Sequence, residues 1–121
     1  MIPHSDQRYS TVGDYLTDKD GKLTILVSDF DDVRESFLIG LHEFVESFLC
    51  RIRGISDEEI DKFDFNFNNH PDSELYSEPG DSKEAPYHME HQFASAIERL
   101  MAGELGVSFP EYDLKIEKMC D

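Results

Sequence analysis

From Asp31 to Arg53 the sequence contains no proline, and apolar side chains return every three or four positions, which predicts a single helix of about six turns. At 100° per residue, Phe37, Leu38, Leu41, Phe44, Val45, Phe48, Leu49 and Ile52 fill one broad apolar arc, so Phe44 and Phe48 are the expected heart of the core. His42 and Glu46 lie one turn apart at the edge of that arc, where core meets cleft. With 121 residues and 39% apolar content the chain can bury one core, not two. The helix is therefore expected to organise a single domain over residues 1–121.

The flanking segments predict an α+β fold, with an N-terminal β-hairpin packed on three main helices and a short C-terminal helix. Residues 1–8 are polar and read as a flexible arm. Ser10 to Thr17 and Lys22 to Ser28 flank Asp18-Lys19-Asp20-Gly21, and the second segment alternates with a period near two, which is a hairpin pattern. Asp31 and Asp32 suit the positive end of the central helix, and Gly54 follows the cations Arg51 and Arg53 as a C-cap. Ser56 and Glu59 form a capping box that opens a second helix over about residues 57–66. Residues 68–86 hold three prolines, a glycine and many acids, and predict an acidic loop that faces substrate as a lid or stays disordered. After Pro86, Met89, Phe93, Ala96, Ile97, Leu100 and Met101 outline a third helix ending near Gly103 or Gly106. A last helix starts at Phe109-Pro110, with Tyr112, Ile116 and Met119 on its docking face.

His42-Glu43-x-x-Glu46 has the spacing of a zinc-hydrolase helix in which glutamate replaces the second histidine. In this reading His42 and Glu46 are metal ligands, His91 of the third helix is the third ligand, and Glu43 is the general base acting on water. Glu90 falls inside the apolar arc of the third helix, and a carboxylate there calls for a cation, so Glu90 joins the candidate ligands, with His88 in reserve. A hairpin followed at once by a ligand-bearing helix, with a later helix supplying the third ligand, resembles minimal zincin-like hydrolases and peptidases over about residues 22–98. The resemblance implies a divalent metal cofactor, zinc first, and a peptide or small-molecule substrate. The carboxylate at position 46 moves the preference toward harder ions, manganese or iron.

Charge frames two other readings. Asp and Glu number 27 against 11 Lys and Arg, for a net charge of −16 and a pI near 4.4, which disfavours nucleic acid and anionic membrane as partners. Glu43-x-x-Glu46 followed by Glu58-x-x-Asp61 resembles the magnesium-binding carboxylate pairs of the all-α, MazG-type nucleotide pyrophosphohydrolases. Residues 57–81 carry nine acids and one lysine, Lys62, a face suited to a basic protein partner, and the composition is similar to that of small acidic inhibitors encoded by phages. Cys50 and Cys120 form no framework of paired cysteines, which fits a reducing cytoplasm. No apolar run reaches the length of a membrane span, and no signal-peptide pattern precedes the hairpin.

Overall fold

The computed structural model describes residues 1–76 and 78–120. Strands β1 (Gly13–Thr17) and β2 (Leu23–Val27) form an antiparallel pair in which Tyr15 faces Ile25. The turn between them is built by Asp18, whose carboxylate accepts from the amides of Asp20 and Lys22, and Gly21 takes the positive φ of 82° that closes it. Helix α1 (Val33–Ile52) begins at Asp32, whose side chain accepts from the Arg34 amide. Helix α2 (Asp57–Phe65) starts with the expected Ser56/Glu59 capping box. Helix α3 (His88–Leu105) ends on Gly106 in the left-handed conformation, and α4 (Phe109–Met119) follows. The architecture is the expected α+β arrangement. Among the described residues no helix is long and apolar enough to cross a membrane.

Helix α1 packs on α3 and on both strands, and two apolar clusters lie at opposite ends of this contact. One joins Leu38 and Ile39 of α1 to Val12, Val27, Ala102 and Tyr112. The other joins Cys50 near the end of α1 to Tyr15, Ile60, Ala85 and Tyr87. Between them α1 turns His42 and Glu46 inward, so its buried face is polar at its middle.

The apolar arc of α1 is not the core. Leu38 is fully buried, but Phe37, Phe44, Phe48 and Ile52 are exposed. The helix is rotated so that its ionisable edge faces α3 and its aromatic stripe faces solvent. Residues 1–8 also differ from an arm. Ile2 bridges Ser28 beside β2, and His4 bonds the Ser28 hydroxyl and the Met119 carbonyl, so backbone pairing and a half-buried imidazole tie the terminus down. The acidic segment folds into 3₁₀ turns at Phe67–Asn69, Pro71–Glu74 and Pro79–Asp81, with Gly80 and Ser82 buried. Ser77 lies outside the described residues.

Because Leu38 is the fully buried aliphatic anchor of α1, Leu38→Ala is expected to lower unfolding free energy by about 2–5 kcal/mol. Urea denaturation checks this: the midpoint should fall with the slope unchanged.

Candidate metal centre

Three side chains from two helices converge in the polar middle of the α1–α3 seam. His42 Nε2 lies 3.0 Å from Glu46 Oε2, His91 Nδ1 lies 2.9 Å from the same oxygen, and the two ring nitrogens are 3.2 Å apart. All three residues are buried. Spacing by four residues puts His42 and Glu46 on one side of α1, and the packing of α3 brings His91 to meet them. Tetrahedral zinc with bonds of about 2.1 Å sets its ligands about 3.4 Å apart, so the triad needs to open by only a few tenths of an ångström to hold such an ion.

The outer partners decide what the inner atoms offer. His42 Nδ1–H donates to Glu98 Oε1 at 2.8 Å, and the buried Tyr112 hydroxyl donates to the other Glu98 oxygen at 2.5 Å. His91 Nε2–H donates to Asp81 Oδ1 at 3.0 Å, with Glu78 3.6 Å away. With its outer N–H given to a carboxylate, each imidazole when neutral turns a lone pair inward, the arrangement that fixes metal-binding histidines. Two ring nitrogens and a carboxylate oxygen then face one another, and with both rings neutral no donor stands among them. Such a centre requires a positive charge, supplied by protons or by a cation.

The electrostatics agree. Burial opposes charge on His42, yet its bonds to Glu46 and Glu98 outweigh that and hold it well above the ordinary imidazole range. His91 is held high in the same way by Asp81 and Glu46. Burial likewise opposes ionisation of Glu46, and the two histidines override it, bringing this carboxyl down to about 2. Glu43 behaves oppositely: burial, then repulsion from Glu46, push it well above the usual carboxylate range.

Glu43 lines the pocket beside the triad, and no described residue donates a hydrogen bond to its carboxylate. Two glycines make the enclosure possible. A Cβ at Gly13 would sit 2.6 Å from Ile39 Cγ2 and 2.7 Å from Glu43 Oε1. A Cβ at Gly80 would sit 2.4 Å from His91 Cγ, so the 79–81 turn lies flat on the imidazole only because it carries glycine there. His88 supports that turn by bonding the Gly80 carbonyl at 2.9 Å. The space enclosed is about 50 Å³, room for an ion and a few waters.

His42, Glu46, His91 and Glu43 therefore meet, and Glu90 does not join them. It is buried, but Arg53 satisfies it at 2.7 Å, and the cation that its burial demands is a guanidinium. Of the pyrophosphohydrolase pattern, Glu43, Glu46 and Asp61 line one pocket, Asp61 pairing with Arg8 at 3.1 Å, and Glu58 is exposed. Cys50 is a packing residue, its thiol pushed up to about 12 chiefly by burial. The outer carboxylates Asp81 and Glu78 were hidden in the acidic loop, where charge alone does not distinguish a ligand-orienting residue from a solvated one. Asp64 was also overlooked, although it follows Ile60 by four residues and so shares the buried side of α2.

The chain matches no family model, no curated protein and no solved structure.

Asp64 yields a pH test separate from metal. It is buried against the hydroxyls of Tyr9 at 3.0 Å and Tyr87 at 2.6 Å, and burial raises its carboxyl to about 7. An unfolded aspartate ionises near 4, so between about pH 4 and 7 the native state holds the extra proton. Stability from this group is complete below pH 4 and is lost as pH rises through the window, by up to about 1.4 kcal/mol per unit. Asp64→Asn should remove that slope relative to wild type in thermal melts at pH 4.5, 5.5 and 6.5.

Proposed function

We propose that this protein is a divalent-metal-dependent hydrolase, zincin-like in layout, acting on a peptide or small-molecule substrate. One observation carries the reading: a ring nitrogen from each of His42 and His91 meets the Glu46 oxygen at a common centre, each ring oriented by its own outer carboxylate. His42, Glu46 and His91 would hold the ion, with zinc favoured by two nitrogen donors and manganese or iron admitted by the carboxylate. A bound divalent ion would supply Lewis acidity to polarise the scissile carbonyl.

The remaining work belongs to the chain. Glu43, adjacent to a ligand but outside the ligand set, accepts the proton of the attacking water, and burial beside Glu46 raises its affinity for that proton. Glu98 and Asp81 keep the histidines in the ligating tautomer, and Tyr112 holds Glu98 in place. Asp57, Asp61 and Glu78 line the same pocket, which supports a neutral or cationic substrate over a polyphosphate.

Untagged protein should retain about one equivalent of metal by elemental analysis and release it to chelator. Glu43→Gln should keep metal content and melting temperature while losing about 10²- to 10⁴-fold in cleavage of a fluorogenic peptide library. His42→Ala should lose the metal itself. Absence of stoichiometric metal after reconstitution with zinc, manganese or iron would sink the reading.

Gly80→Ala tests the outer arrangement. The added methyl must displace the 79–81 turn or the His91 ring, so zinc affinity by calorimetric titration should fall about 10- to 100-fold with the far-UV spectrum unchanged.

A further inference from the structure

The stripe that α1 turns away from the core needs its own explanation. Phe37, Leu41, Phe44, Phe48 and Ile52 follow one another at spacings of four, three, four and four, and on α3 Met89, Phe93, Ala96 and Leu100 do so at four, three and four. This is the seam spacing by which helices pack on helices. The large apolar members of both stripes, leaving aside half-buried Leu41, are between 51% and 72% exposed.

The stripes share one side of the helix pair. Helix α1 meets the hairpin through Ile39 and Gly40, and it meets α3 through His42 and Glu46. On α3, His91 turns toward the 79–81 turn. Rotation by about 100° per residue away from those contacts brings Phe44 and Phe48 of one helix and Phe93 and Leu100 of the other to the side opposite the hairpin. The result is a two-helix layer, covered on one side by β1, β2 and the acidic turns and bare on the other.

We infer that this bare layer is the interface of a homodimer, in which two copies pair α1 and α3 across a two-fold axis into a four-helix arrangement. Area is the first support. The exposed portions of four phenylalanines with Ile52, Met89 and Leu100 amount to about 800 Å² per copy, the amount each partner contributes to a stable protein interface. Charge is the second. Two copies at −16 each repel least where they meet through a surface poor in acids. No carboxylate lies between the members of either stripe: Glu35 and Glu46 of α1 and Glu98 of α3 are buried, Glu43 lines the pocket, Glu90 is held by Arg53, and the exposed Glu104 stands beyond Leu100 at the end of α3. Geometry is the third: a two-fold axis sets each stripe against its own copy or its neighbour's, and both have the spacing to interdigitate.

Sedimentation equilibrium of the full chain decides it. One copy is 14.0 kDa, and the expected mass is about 28 kDa at micromolar concentration, held or strengthened as salt screens the acidic surfaces. Phe44→Glu should return the mass to that of one copy while far-UV circular dichroism is preserved. If that variant unfolds, Leu100→Lys on the other helix carries the same test. A wild-type mass of one copy, or a dimer that neither substitution dissociates, overturns the inference. An acidic dimer that falls apart with added salt also overturns it, since an apolar seam does not weaken on screening.

Discussion

The carboxylate of Glu46 held between two histidines, in the seam where α1 meets α3, is the constraint from which the rest of the structure follows. Most helix pairs close their seam with leucines. Here His42, Glu46, His91, Glu98 and Glu90 are buried there, and each has a partner: a second ring, an outer carboxylate, Tyr112 or Arg53. Breaking one partner from such a set costs far more than the set contributes, because a lone buried charge remains. The surrounding chain is shaped to prevent that. Gly80 and Gly13 let backbone approach where a methyl group would not fit, and α4 supplies the tyrosine that fixes Glu98.

A polar seam leaves the apolar residues to be placed elsewhere, and they go to three locations. Leu38, Ile39 and Ala102 join the hairpin and α4 at one end, and Cys50 joins Tyr15, Ile60 and Tyr87 at the other. The remainder, the aromatic stripe of α1 and its counterpart on α3, lies outside. The two internal clusters bracket the ionisable centre along α1.

This division explains what the sequence could reveal. The hairpin, the Asp32 and Ser56 caps and the Gly106 stop were readable, because each depends on a few neighbouring residues whose local chemistry has one good solution. The convergence of His42, Glu46 and His91 was readable too, from four-residue spacing on one helix and a histidine on another. The facing of α1 was not. Periodicity shows which residues share a side of a helix but is silent on which side turns inward, and the usual assumption that the apolar side does so failed for Phe44 and Phe48. Glu90 and His91 stand about 100° apart on α3, so only one could face the centre, and Arg53, more than a turn from His42, drew the other away. Asp81 and Gly80 belong to a segment without periodicity, and nothing short of the folded turn brings them to the His91 ring.

The placement of the centre also bears on how the domain is held together. Residues 42 and 46 belong to a helix next to the N-terminal hairpin, and residue 91 to one that follows α2 and the acidic turns. On the proposed reading, an ion shared by these residues ties the two halves of the chain across the segment between them. Closing a loop of that length in the unfolded chain is entropically costly, so a tie present only in the native state adds to stability as well as to chemistry. Without the ion, the hydrogen bonds that join His42 and His91 to Glu46 provide a weaker version of the same tie.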